Sequence, residues 1–319
     1  MKRYPFSSTL KSEFSDYINL RKAQGHSVSG NAILFSLDLY LQKTNHQSKE
    51  LASLIIDGWI SDLPKNMHVN TKIVYISHYS GFARYLTTLG IPAFIPERPS
   101  GESSYVPYIF TEEEINQLIS VADNLVFTKK LILQFPVIIR LLYGCGMRVN
   151  EVLGLRMSAV DLNDGIMIVR NGKGSKERYI PLQDGMTEIL KNYCLAREKE
   201  PFSDELLFEN TKGEKHSLTW VRSNFVRCLE GAEISKPILR KSARNICPHC
   251  LLYTFAVHSF HKQEQLGADV YATAPLLSAY MGHSTFRDTE YYLRLTDEVG
   301  RDIISKGSSY AKVFPEVPV

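Results

Sequence analysis

Residues 245–262, "NICPHCLLYTFAVHSFHK", place Cys247, His249, Cys250, His258 and His261 within one short stretch. Side chains of these types can bind a metal or handle protons. Cys247 and Cys250 with His258 and His261 make a Cys-x2-Cys…His-x2-His set, the donor types that hold zinc. The central gap is shorter than zinc-finger spacing, and the intervening "LLYTFAV" reads as a buried helix, so no metal is expected here. Three other stretches carry reactive groups. "GCGMRVNEVLGL" puts Arg148 directly after a tight turn, and "NGKGSKERYIPL" puts Lys173 at the tip of a turn with Lys176 and Arg178 close behind. "YMGHSTFRDTEYYLRLT" carries His283 and, nine residues later, Tyr292. Taken singly, each has an ordinary explanation. Arg148 can pair with Glu151 one helical turn away, Lys173 can be a solvated turn lysine, His249 a capping histidine, and His258 a structural histidine in an apolar helix.

Taken together and in this order, the four stretches resemble the tyrosine recombinase, or phage integrase, family. The resemblance covers about 110–310, and the helical region before it looks like that family's core-binding domain. It implies Arg148 as the first of two phosphate-clamping arginines, Lys173 as the hairpin lysine, and His249 and His283 as hydrogen-bond donors and proton handlers. Tyr292 would be the nucleophile; its neighbour Tyr291 could attack instead, but the spacing from His283 favours Tyr292. Lys176 and Arg178 would contact DNA phosphates, with the choice between Lys173 and Lys176 as general acid left open. The chemistry explains the residue types. Attack on a phosphodiester builds charge on its equatorial oxygens, and a planar, permanently protonated guanidinium meets that charge with two hydrogen bonds. A tyrosine ester of the 3′ phosphate keeps the bond energy for rejoining, so neither metal nor nucleotide cofactor is implied. The partners implied are double-stranded DNA, a homotetramer assembled on two recombination sites, and an accessory DNA-bending protein.

The third box departs from the family's pattern. Where the family has His-x-x-Arg followed by histidine, this chain has His249, Cys250, Leu251, Leu252 and Tyr253. Leu252 occupies the second arginine position and has no donor. Losing one well-placed oxyanion donor typically lowers a rate roughly 10²- to 10³-fold. Arg240, Arg244 and Arg287 are the cations that could compensate. A decayed or accessory DNA-binding protein on the same fold is the rival expectation.

The elements that must position these residues follow from periodicity. "SSTLKSEFSDYINLRKAQG", "SGNAILFSLDLYLQK" and "TKIVYISHYSGFARYLTTLG" predict amphipathic helices, the first begun by a capping serine and stopped at Gly25. The proline-rich "IPAFIPERPSGESSYVPY" predicts a linker. Thr111 and Glu114 have capping-box spacing at the next helix. "LILQFPVIIRLLYGCG" predicts a buried helix, "MRVNEVLGLRMSAVDL" an amphipathic one, "IMIVRNGKGSKERYIPL" a β-hairpin, and "DEVGRDIISKGSSYAKVF" a final helix and tail. The expected fold is mainly α. With the resemblance it becomes a helical core-binding, SAM-like domain (1–90), a linker (91–109), and a C-terminal α+β catalytic domain with a small antiparallel sheet and a tail (110–319). The two domains would close around a duplex.

Composition agrees with a cytoplasmic protein. Apolar residues at 44% and charged residues at 22% suit a water-soluble globule, and no apolar run is long enough to span a bilayer. Five cysteines with no export signal predict reduced thiols rather than a disulfide framework. The net charge of +3 is too small to argue for nucleic acid by itself, so any DNA-binding surface must come from local clustering.

Overall fold

The computed structural model describes residues 5–25, 31–99, 107–125, 133–170, 177–234, 246–282, 291–293 and 295. The chain divides into two compact units, Met1–Ser104 and Tyr105–Val319. It is mainly helical, with one small antiparallel sheet.

In the first unit, α1 (Lys11–Ala23), α2 (Asn31–Lys43), α3 (Ser53–Asp62) and α4 (Val69–Thr88) bury one shared core. Phe14 of α1 stacks on Phe82 of α4 with ring centroids 4.4 Å apart, and Trp59 of α3 packs against Tyr79 of α4. The predicted serine cap is replaced by a tertiary one. Leu10 stands at the N-cap, and the buried Asp38 carboxylate on α2 accepts the Ser7 and Ser8 amides at 3.1 and 3.0 Å. A carboxylate in that place satisfies backbone donors ahead of the helix, the Ser8 amide among them in a buried position. The predicted linker begins as part of this unit, because Leu51 pairs its backbone with Pro92 and Phe94, and the Tyr79 hydroxyl donates to the Phe94 carbonyl at 2.6 Å.

The second unit is built around α10 (His249–Gln265), which is buried along most of its length. Against it or beside it pack α5 (Glu112–Asn124), α6 (Gln134–Gly144) and α11 (Val270–Met281), with α8 (Asp184–Ala196) and α9 (Leu218–Gly231) completing the core. The capping box at α5 forms as its spacing predicts: Glu114 N–H donates to Thr111 Oγ1 at 3.2 Å, and Thr111 N–H to Glu114 Oε2 at 2.8 Å. Phe110 N–H donates to Thr254 Oγ1 on α10 at 3.1 Å, joining the start of the unit to its central helix.

The stretch predicted as one amphipathic helix after Arg148 is broken. The helix α7 (Val149–Leu153) lasts five residues, and Gly154 ends it. The chain then runs extended, with Leu207 N–H on the Leu155 carbonyl and Met157 N–H on the Glu205 carbonyl, before a short 3₁₀ turn. Tertiary pairing overrides the helical period here. The predicted hairpin is present as β2 (Ile166–Val169) and β3 (Arg178–Pro181), in register Ile166↔Pro181 to Val169↔Arg178. A third strand, β1 (Val160–Asp161), pairs with β2. Met167, Val169 and Ile180 turn inward to the core. Lys173 and Lys176, His283, the three compensation candidates and the predicted final helix lie outside the described residues. No described helix is long and apolar enough to cross a membrane.

Candidate functional site

A tight turn delivers Arg148. Gly146 holds φ +56°, and a Cβ there would come within 2.4 Å of the Phe255 ring on α10. Only glycine allows both that backbone and that approach. Two residues later Arg148 sits at the N-cap of α7, its backbone N–H on Glu151 Oε2 at 2.9 Å. Its guanidinium donates to Glu151 Oε1 at 2.9 Å and to the Met281 carbonyl at the end of α11 at 3.1 Å.

Glu151 holds a second arginine. Arg178, the first residue of β3, forks onto both carboxylate oxygens at 2.9 and 2.7 Å, and its side chain is only 9% exposed. Burial would raise the Glu151 pKa, but the hydrogen bonds from Arg178 and Arg148 outweigh it and hold the carboxyl below its ordinary value. The aliphatic stem of Arg178 lies under Gly282, where an added Cβ would meet its Cδ at 3.1 Å. Gly282 ends α11 with φ +66°, a left-handed cap that glycine supplies without strain. The family resemblance expects Arg178 to contact a DNA phosphate. A buried bidentate ion pair occupies its fork.

Arg148 and His249 line the same cleft, of about 630 Å³, together with Arg156, Arg170 and Lys215. Sequence reading missed these three cations. Arg156 is tied to Asp204 at 3.2 Å, and Lys215 donates to the Asn150 carbonyl at 3.1 Å. Loss of solvent around Lys215 pulls its pKa below the lysine norm. The loop bearing Lys215 is anchored by its neighbour: buried His216 bonds Gln134 Oε1 at 3.0 Å and stacks on Trp220. A charged cleft wall of this kind favours an anion such as phosphate.

The first turn of α10 forms another wall. Pro248 stands at its N-cap, and His249 is exposed at the cleft. Desolvation by the surrounding protein and then the Arg148 charge hold the His249 pKa below the usual imidazole value. Its ring meets Tyr253 edge-on at 5.1 Å, and Tyr253 packs against Tyr292 at 5.3 Å and Tyr291 at 6.0 Å. Tyr292 is 5% exposed. Leu252 is 3% exposed and belongs to the hydrophobic core. The structure thus brings together Arg148 and His249 in one cleft, and His249 with Tyr292 through Tyr253. That aromatic bridge had no signal in the sequence beyond helical adjacency.

Cys247 and Cys250 face each other, and His258 bonds the Tyr143 hydroxyl at 3.1 Å with its pKa pushed down to about 4 by burial. Among the described residues, no group of three or more His, Cys, Asp or Glu side chains could hold a metal ion.

Comparison with known proteins follows the same outline. Residues 109–298, more than half of the chain, match the family model described as the phage integrase family. Tyrosine recombinase XerA of Thermococcus kodakarensis is 30% identical over 211 residues, 66% of each chain. The chain thus spans just under two thirds of that relative's length. Tyrosine recombinase XerC of Thermodesulfovibrio yellowstonii is 28% identical over 289 residues, 88% of this chain and 89% of that one. Among solved structures, the XerH site-specific recombinase bound to palindromic difH substrate, a post-cleavage complex, superposes with a TM-score of 0.67. That match covers 92% of this chain and 84% of the other at 19% identity, a likeness of fold.

Proposed function

The chain belongs to the phage integrase family, and from that membership we propose that it is a site-specific DNA recombinase acting through a 3′-phosphotyrosine intermediate. The observation that carries the reading is the cleft in which Arg148 and His249 stand among three further cations. Residues 1–90 would serve as the core-binding domain and 110–319 as the catalytic domain. The partner is double-stranded DNA, the assembly a homotetramer on two recombination sites, and a DNA-bending accessory protein a further participant. A soluble, cytoplasmic setting fits this partner.

In the proposed reaction a phosphate enters the cleft and its equatorial oxygens accept hydrogen bonds from Arg148 and His249. Glu151 keeps the Arg148 fork in one rotamer, so little reorganisation is left for the transition state. The Tyr292 oxygen attacks phosphorus as its proton passes to the neutral imidazole of His249, the bond to the 5′ oxygen breaks, and Lys173 supplies that oxygen with a proton, with His283 as a further donor. Attack of a 5′ hydroxyl on the phosphotyrosine reverses the sequence on the recombinant strand. Tyr292 has to expose its hydroxyl first, because it is buried against Tyr253 in this arrangement.

Leu252 limits this chemistry. Its side chain is packed into the core instead of reaching the phosphate, so the clamp has one arm from this pair of positions. We therefore assign reduced cleavage to the chain. The same observation favours a second reading, a DNA-binding accessory protein that assembles on sites without cutting them.

Covalent trapping on nicked suicide duplexes, after binding selection has supplied a site, tests both. Adducts stable to SDS that form with the natural chain and vanish in Tyr292→Phe establish a working recombinase. Adducts only in Leu252→Arg establish one disarmed at that residue. Salt-sensitive DNA binding with no adduct in either supports the accessory reading.

A further inference from the structure

The two thiols that bracket His249 take no part in the proposed cleavage. Cys247 and Cys250 lie at the start of a seventeen-residue helix with their sulfurs 4.0 Å apart, already in contact. They are unlike the other cysteines. Cys145, Cys194 and Cys228 are buried thiols whose pKa values desolvation pushes up to about 12, 11 and 12, which makes them poor nucleophiles. Cys247 is half-buried and open to a small reagent. The Cys250 thiol 4.0 Å away, the amides of the first helical turn and the Arg222 charge all act to lower the Cys247 pKa. Together they outweigh burial and favour a Cys247 thiolate, while the neighbouring Cys247 sulfur and burial push the Cys250 thiol up. One attacking thiolate beside one resolving thiol is the arrangement that thiol–disulfide exchange needs.

We propose that Cys247 and Cys250 are a redox-active pair that closes into an intramolecular disulfide by exchange with a low-molecular-weight disulfide, and that closure resets the position of His249. In the first step the Cys247 thiolate attacks one sulfur of the small disulfide. A mixed disulfide forms and a small thiolate leaves. Cys250 then loses its proton to that thiolate and attacks Cys247 Sγ, expelling the second small thiolate, which takes a proton from water. The protein dithiol is oxidised by two electrons, and the small disulfide is reduced to two thiols. The sulfurs must close from 4.0 Å to about 2.05 Å, and the turn between them absorbs the movement. His249 is in that turn, and its ring contacts lead through Tyr253 to Tyr292. The effect on His249 matters for catalysis only if the cleft cleaves DNA as proposed above, whereas the disulfide chemistry stands apart from that reading.

The test equilibrates the full chain in glutathione buffers from reducing to oxidising, quenches with acid, alkylates free thiols and maps peptides. The expected result is joint loss of the Cys247 and Cys250 thiols, in a peptide lighter by two hydrogens, with Cys145, Cys194 and Cys228 still alkylated. Cys250→Ser should stop at a glutathione adduct on Cys247, and Cys247→Ser should form neither product. Amide exchange in the first turn of α10 should change on oxidation and return with dithiothreitol. Cleavage by the oxidised chain, read in the natural chain and in Leu252→Arg, should fall roughly ten- to a hundredfold, as expected for an ångström-scale displacement. Two thiols that stay alkylated across the series in a folded chain overturn the proposal. A disulfide that leaves amide exchange of the turn unchanged overturns the positioning half. If no adduct forms in either chain while the disulfide closes, the cleavage reading fails and the redox pair stands.

Discussion

Two walls of one cleft are built by opposite means. At the Arg148 wall, two guanidiniums share one carboxylate, and the ions fix each other's direction. At the α10 wall, His249 and Tyr253 are placed by ring packing, and Leu252 beside them lies in the hydrophobic core. If Leu252 stands where the proposed clamp would have its second arginine, the fold holds without that arm. An arginine facing phosphate contributes to the reaction, while a leucine in the same place contributes to the core. Replacing a buried ion by an apolar side chain is often neutral or stabilising for the fold, even as it removes a charge from the chemistry.

Removing the ion that the two arginines share should have the largest effect. Glu151→Gln leaves Arg148 and Arg178 facing each other without a counter-charge and should cost about 3–5 kcal/mol, read by urea unfolding. The pH dependence has a fixed sign. The Glu151 carboxyl is held below its ordinary pKa in the folded chain, so its stabilisation is present above the unfolded value of about 4.3. It is lost as pH falls through the lower, folded value. The natural chain should lose that share of stability on acidification, and Glu151→Gln should not. Next in size, Leu252→Arg should raise the rate of adduct formation by roughly 10²- to 10³-fold on suicide duplexes. An unchanged rate would mean that the α10 wall does not face the phosphate at all.

Gly146→Ala sharpens the same contrast at the seam between the walls, where the turn before Arg148 touches Phe255. Overpacking there, added to a positive φ, should cost about 1–3 kcal/mol, measured by thermal unfolding. The smallest effect belongs to Lys215→Gln. If Lys215 neutralises one phosphate, the slope of log binding constant against log salt should become shallower by about 0.9, with unfolding unaffected.

Much of this was legible before any coordinates. The helices α1, α2, α4 and α5, the buried α6 and the β2–β3 hairpin follow from local periodicity and turn chemistry, which act over a few residues. Arg148 beside Glu151 was legible for the same reason. What stayed hidden depends on distant pairing. Arg178 reaches Glu151 across 27 residues of sequence, and in "KERYIPL" nothing marks it for that pairing rather than for the DNA phosphate expected of it. Arg156, Arg170 and Lys215 meet only because the sheet and the loop before α9 fold to one cleft. The amphipathic stretch after Arg148 failed as a single helix because Leu155 and Met157 pair with the distant Leu207 and Glu205 backbone. Tyr253 looked like a mere substitution, and its place between His249 and Tyr292 depends on Tyr292 returning to pack against α10.

The bond from Phe110 to Thr254 joins residues 144 apart in the chain. A ribosome adds roughly 5–20 residues each second, so the Phe110 amide waits on the order of 7–30 s for its partner to be made. Through that interval α5 and α6 have emerged, and the face of α6 that packs on α10 is still uncovered. The unit therefore matures late in synthesis, and a chain stopped before α10 should be a substrate for chaperones and proteases rather than a smaller folded protein.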